Sequence, residues 1–251
     1  ASIEARRRGK RPGRRLACPT RQPMDQRPNP WCGRRNEQPS PVNLVAEIWT
    51  AWEPRFRAQF FNSLGGARQM GLLTTFSPAG VANAAVFNQT LHVSANPPQL
   101  GFLFRPLTTE HQGLRYLRAQ GCFGFHLMSG GIDSAAAVHQ CSAKYPEGES
   151  ELDAQGLAWT VFDHVGAPRV AAAAVSYGLT LAEEHELANG TVLVVGSVAE
   201  VHLSADVSVG DDGFARLPED LLLAQGLDSY HHSASVGRFR YAQPEHKPSL
   251  L

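Results

Sequence analysis

Long apolar runs are missing from this 251-residue chain. No stretch approaches the roughly 18 residues that cross a bilayer as a helix, so a membrane-spanning reading fails. Cysteine is scarce, at four residues, and Cys18, Cys32, Cys122 and Cys141 show neither C-x-x-C nor Cys/His spacing. A zinc site is therefore not expected, and no metal is assigned. No signal-peptide pattern is in view, which makes reduced thiols and a cytoplasmic location the expectation. Net charge is absent too, with 23 Lys+Arg against 23 Asp+Glu. That balance hides an asymmetry: residues 1–40 hold 11 of the basic and 3 of the acidic groups, leaving 12 basic and 20 acidic beyond them. An acidic body gives no electrostatic reason to expect nucleic acid as a partner. A G-x-S-x-G nucleophile elbow is also lacking, and no spacing assigns a Ser/His/Asp triad.

What is present suits a globular protein, with 43% hydrophobic and 18% charged residues. The first segment stands apart. Residues 1–41 contain seven prolines and the runs Arg6-Arg7-Arg8 and Arg14-Arg15, with few aliphatic side chains. Such a segment cannot bury enough apolar surface to offset its ordering entropy, so residues 1–50 are expected to be a disordered basic extension. An arm for an acidic partner, a transit peptide and an extension with no role are the readings left open there.

The folded body is expected over residues 54–245. Phe56, Phe60, Phe61 and Leu64 recur at helical spacing before Gly65-Gly66. Strand-like runs follow at 70–76, 81–93 and 100–104, the last two separated by a polar break at 94–98. A helix is expected over 108–119, a strand over 122–128 and a short helix over 132–141. Two long strands, 175–186 and 191–203, meet at Asn189-Gly190, a dipeptide that favours a hairpin turn. Residues 221–242 mix loop and strand. Many strands with few helices predict a mainly β or α+β barrel.

Chemistry is suggested first by the small-residue stretch from Thr74 to Asn88, closing at Asn96-Pro97-Pro98. Small side chains on a strand let a flat ligand approach the backbone, where N–H groups and Asn amides can meet its polar edge. The bland alternative is barrel packing. Four blocks in order give the stretch a wider setting: the 72–106 run from Leu72-Leu73-Thr74-Thr75 to Arg105-Pro106, the His139–Leu157 block, the Glu186–Val201 block and the closing Gly226–Pro244 block. Together they make the chain resemble the flavin reductase-like family, whose fold is an FMN-binding split β-barrel with a few flanking helices.

The resemblance implies an FMN cofactor, NADH or NADPH as co-substrate, a homodimer, and a partner monooxygenase or other electron acceptor. It places Asn83, Ala84, Ala85, Phe87 and Asn88 along the flavin ring and ribityl chain. Arg105, Thr109 and His111 fall in the region that approaches the phosphate, and Ser142, Ala143, Lys144 and Tyr145 form a second flavin-contacting loop. A dianionic phosphate suits a cation, hydroxyls and the free N–H groups of a helix start. Tyr230 and His231, with His232, are candidates for the nicotinamide side, where a side chain could shape stacking or relay a proton. One departure stands out: where relatives carry His-Thr and then Asn, this chain has Gln112-Gly113 and Tyr116.

A competing motif is Ser129-Gly130-Gly131-Ile132-Asp133-Ser134, which resembles the pyrophosphate loop of ATP pyrophosphatases. The family's doubly wound α/β domain has no counterpart in the strands that follow, and Asp133 or Ser134 is expected to cap the next helix instead. The reading that results is an FMN-dependent NAD(P)H:flavin or NAD(P)H:acceptor oxidoreductase. The alternatives are a flavin electron-transfer protein without nicotinamide activity and an ATP pyrophosphatase using the 129–134 loop.

Overall fold

The computed structural model describes residues 43–106 and 111–251. The expectation of disorder over residues 1–42 and the site assignment of Thr109 lie outside them. The chain divides into a unit ending at Ala51 and a larger unit from Trp52 to Leu251. In the first, α1 (Ala46–Thr50) is a single helical turn closed by Thr50 Oγ1 donating to the Ala46 carbonyl at 2.8 Å. That turn lies inside the stretch expected to be disordered. The 54–245 boundary falls inside the second unit.

The larger unit opens with α2 (Pro54–Leu64). Pro54 suits the first helical position because its missing N–H would have no partner there. Glu53 accepts from the Phe56 N–H at 2.8 Å, and the Trp52 ring packs edge-on against Phe56 and Phe60. Next come β1 (Arg68–Gln69), β2 (Gly71–Phe76), β3 (Ala82–Phe87), β4 (Thr90–Ala95) and β5 (Pro98–Phe104). α3 (Gln112–Gln120), β6 (Cys122–Met128), α4 (Ile132–Gln140) and α5 (Glu151–Ala154) form the middle of the chain. A small hairpin, β7 (Trp159–Val161) and β8 (Pro168–Val170), precedes the long pair β9 (Ala173–Glu186) and β10 (Val192–Leu203). The chain ends with β11 (Ser208–Val209), β12 (Ala215–Arg216), β13 (Leu223–Gln225) and β14 (Ser229–His231).

Seven strands form one antiparallel sheet in the order β3-β2-β6-β9-β10-β5-β4. Its two edge strands, β3 and β4, are consecutive in sequence and are joined only by Asn88-Gln89. The chain therefore steps directly from one edge of the sheet to the other, which curls the sheet into a barrel left open along that seam. This corrects the expectation of one strand over 81–93. The break has a polar cause: Asn88 is buried and donates to the Gly226 carbonyl at 2.6 Å, while the Gln89 carbonyl accepts from Leu103.

Phe87, Phe102, Phe104, Phe123 and Phe125 fill the barrel with edge-to-face contacts such as Phe102–Phe125 at 5.1 Å, and Leu114 and Leu117 of α3 close one side. Gly196 is required by that core, since a Cβ there would lie 2.6 Å from the Phe123 ring. A second apolar cluster, including Met70, Leu72, Ala84, Val138 and Leu152, binds β2 and β3 to α4 and α5. At the β9–β10 turn, Asn189 Oδ1 accepts from the Thr191 N–H at 3.0 Å and Gly190 takes φ +78°, as the Asn-Gly pair predicts.

The loop 129–134 has a different structure from the one expected. The N-cap of α4 is Gly131, and neither Asp133 nor Ser134 caps the helix with its side chain. Gly130 instead donates to the Asp220 carbonyl at 3.0 Å, and its own carbonyl meets His232 Nε2 at 3.0 Å. β6, which precedes the loop, has antiparallel neighbours on both sides, whereas the pyrophosphatase arrangement needs a parallel sheet.

Candidate functional site

An open cavity of about 730 Å³ lies along the outer edge of β3, within the roughly 300–1,000 Å³ typical of small-molecule sites. β3 is an edge strand, so half its backbone groups have no ladder partner. The Ala84 N–H points away from β2, and the alternation of an antiparallel ladder turns the N–H and C=O of Val86 the same way. Asn83, Ala84, Ala85, Phe87 and Asn88 all line this space. The Ala84 N–H is taken by Glu151, whereas the small side chain of Ala85 keeps the strand edge beside Val86 open to a flat ligand.

The opposite wall comes from two places. Arg105 follows β5, and His111-Gln112-Gly113 form the start of α3. His111, at the N-cap, makes no side-chain cap bond, and the positive dipole end of the helix suits an anion. Burial, with the Arg105 charge adding to it, holds the His111 imidazole below its ordinary range. Beyond α4, Ser142, Ala143, Lys144 and Tyr145 complete the rim. The structure thus brings together every site residue assigned by resemblance to the flavin side that it describes.

Tyr116 and Gly113, the departures in α3, have structural consequences. Tyr116 is buried and its hydroxyl reaches Glu147 Oε1 at 3.2 Å, where Arg115 also pairs with Glu147. These contacts tie the 142–148 loop to α3. Tyr145 is held from behind by Gln155 Nε2, which donates to its hydroxyl at 2.8 Å. Gly113 leaves a notch: among the described residues a Cβ there would meet only Asn83 Oδ1, at 3.5 Å.

Tyr230 and His231 are not placed with these residues. They lie on β14, in the separate sheet β1-β13-β14, and neither lines the cavity. Tyr230 meets His139 Nδ1 at 3.1 Å, and burial, with Cys141 and Asp228 contributing, pushes its phenol up to about 12. His231 Nε2 lies 2.9 Å from Ser229 Oγ. Cys141 does line the cavity, yet burial and then Glu151 push its thiol up to about 12, which leaves it protonated and unreactive at neutral pH.

Sequence reasoning missed Glu151. Its carboxylate is buried at the cavity wall and accepts from Asn83 Nδ2 at 3.0 and 3.1 Å and from the Ala84 N–H at 2.9 Å. Burial pushes its pKa upward, against the three hydrogen bonds. It lies in an acid-rich run, Glu147-Gly148-Glu149-Ser150-Glu151, that reads as solvated surface. The available signal was Ser150 three residues before Asp153, the spacing of a helix cap, and Ser150 Oγ indeed accepts from the Asp153 N–H at 3.2 Å.

Among the described residues, Asp163, Glu200 and His202 bring ligand-type atoms within 4.8 Å of one another. Glu200 already accepts from the Asp163 and His164 N–H groups and pairs with His202, so it serves to pin the β7–β8 loop to β10.

The family profile described as a flavin reductase like domain matches residues 65–224. A split-barrel protein from Shewanella frigidimarina NCIMB 400, assigned to the flavin reductases, is 30% identical with a TM-score of 0.73, covering 80% of this chain and 100% of its own. Nitrilotriacetate monooxygenase component B from Bacillus cereus shares the fold at 17% identity and a TM-score of 0.67, covering 79% of this chain and 98% of its own. Flavoredoxin of Desulfovibrio vulgaris (Miyazaki F) does so at 16% identity and a TM-score of 0.56, covering 72% of this chain and 92% of its own.

Proposed function

The chain belongs to the flavin reductase-like family, and from that premise we propose that it is an FMN-dependent oxidoreductase acting on NADH or NADPH. The observation that carries the reading is the cavity along β3, where an exposed strand edge faces a basic rim across about 730 Å³. When bound, the flavin supplies the redox chemistry, accepting hydride from the nicotinamide and passing electrons to a second acceptor.

The protein's share is binding and orientation. The outward N–H and C=O of Val86 offer a donor and an acceptor to the polar edge of a planar ring. Ala84 and Ala85 set the closeness of approach. Arg105, Lys144 and the start of α3 face the same space and suit an anionic tail. Phe104 and His111, whose rings meet edge-on with centroids 5.7 Å apart, line the cavity beside Arg105.

The cavity is open on one side, which fits completion by a second copy of the chain and leaves room for a nicotinamide. A homodimer is therefore part of the proposal, with a monooxygenase component or another acceptor downstream. Tyr230 and His231 remain candidates for the nicotinamide side only through such an assembly, because within one chain they stand apart from the cavity lining. That separation favours one further reading, a flavin electron carrier without nicotinamide activity. No helix among the described residues is long and apolar enough to cross a membrane.

The test is the visible spectrum of the purified protein incubated with FMN, followed by anaerobic mixing with NADH or NADPH. Retained absorbance near ~450 nm that bleaches on mixing supports the oxidoreductase. Retained absorbance without bleaching selects the electron carrier, and a colourless protein refutes both.

A further inference from the structure

We infer that Glu151 is a positioning residue of the flavin site, which fixes the polarity that the Asn83 amide presents to the cavity. This rests on the flavin reading above. Two neighbours hold that amide. Thr75, fully buried on β2, donates its hydroxyl to Asn83 Oδ1 at 3.3 Å. Glu151, reaching over from α5, accepts from Asn83 Nδ2 with both carboxylate oxygens.

A carboxylate cannot donate, so the amide nitrogen must face it and the amide oxygen must face away. Oδ1 is thereby directed toward the start of α3, into the notch left by Gly113. Asn83 thus shows the cavity an acceptor. A ligand group that meets it there must carry a donor, as a ribityl hydroxyl does. The carboxylate's third bond, from the Ala84 N–H, satisfies the edge of β3 immediately beside that amide. The cavity contains no other described carboxylate, so the acid is a specific feature of this wall and not part of a charged rim.

Glu151→Gln keeps the acceptor shared by Ala84 and Asn83 and replaces the second one, which serves Asn83 alone, with a donor. A glutamine oxygen in the place of Oε2 still accepts from Ala84 and from one side of Asn83 Nδ2, but its NH₂ group then stands in the place of Oε1, 3.0 Å from Nδ2, and this contact of donor with donor shifts the amide toward turning over, with Thr75 then accepting. The acceptor facing Gly113 becomes a donor. The loss of one hydrogen bond corresponds to a rise of about threefold to tenfold in the dissociation constant.

The experiment is a double-mutant cycle on FMN affinity, read by flavin fluorescence quenching on the full chain with thermal melting as the folding control. Glu151→Gln is expected to weaken FMN binding by about threefold to tenfold with Asn83 in place, and to change it less than twofold in an Asn83→Ala background. Equal affinity in wild type and E151Q overturns the proposal. So does the same loss in both backgrounds, which is what a merely structural acid would give. Should E151Q fail to fold, Thr75→Val removes the other contact of the amide and must show the same dependence on Asn83. Wild-type protein that takes up no FMN refutes the flavin reading itself, an outcome distinct from the other two.

Discussion

His126 gives the sharpest numerical prediction. It lies on β6, fully buried, with Nδ1 3.0 Å from Ser176 Oγ and Nε2 within 2.9 Å of Thr74 Oγ1 and 3.1 Å of the Pro168 carbonyl. A neutral imidazole satisfies all of these, donating from Nε2 and accepting the Ser176 hydroxyl at Nδ1. Burial holds its pKa down at about 3; the Pro168 carbonyl opposes the shift and Arg169 adds to it. The unfolded chain titrates near the ordinary 6.5. Between those values the unfolded state binds a proton that the folded state does not, so stability rises with pH across the window and falls as acid is added. At roughly 1.4 kcal/mol per pH unit, the loss is about 2 kcal/mol by pH 5 and about 5 kcal/mol over the whole window, a large part of a typical domain's stability.

Other groups also titrate in acid, so the measurement must isolate this one. Urea unfolding of wild type and His126→Gln, followed by tryptophan fluorescence from pH 8 to pH 5, does so. The variant is expected to be less stable by about 2–3 kcal/mol at pH 8, because buried partners lose their hydrogen bonds. That gap should narrow by about 2 kcal/mol at pH 5, with unchanged m-values. A gap that stays constant over the range refutes the reasoning, since it would mean that the native imidazole protonates as readily as the unfolded one.

Three further outcomes follow from the site and the core. Lys144→Ala should weaken FMN about fivefold, the roughly 1 kcal/mol of an exposed charge contact, while riboflavin binding stays unchanged; parallel fluorescence titrations compare them. Gly113→Ala should raise the melting temperature by about 1–4 °C, because the added Cβ meets only Asn83 Oδ1 at 3.5 Å and the unfolded chain loses freedom. Gly196→Ala should cost about 1–3 kcal/mol in urea unfolding, because its Cβ would collide with Phe123 and Leu179 in a filled core.

The elements whose local signals act alone were legible. The Pro54 start and Gly65 stop of α2, the two long strands β9 and β10, and the Asn189-Gly190 turn between them each depend on neighbours in sequence, and each formed as read. The break at Asn88 was not legible. Strand formers flank it on both sides, and what interrupts pairing is a hydrogen bond to Gly226, 138 residues away. The same distance rule explains the loop at 129–134. Its sequence offers Asp133 and Ser134 as caps, but contacts from Asp220 and His232 fix the backbone before either is needed. α5 and the β7–β8 hairpin went unread because they are too short to establish a period.

The site divides along the same line. Residues of β3 and the 142–145 loop could be named from their order of blocks, because family resemblance carries position without needing geometry. What each of them does could not be named that way. Asn83 reads as an amide free to meet a ligand, yet three of its neighbours in space, Thr75, Glu151 and Gly113, decide which end of the amide is offered. Glu151 is hidden in an acidic run whose other members face water, and only the fold shows that one carboxylate of the run turns inward to the edge of β3. A binding wall is thus recognisable from its own residues, whereas its hydrogen-bonding polarity is set from behind, by side chains that a ligand need not touch.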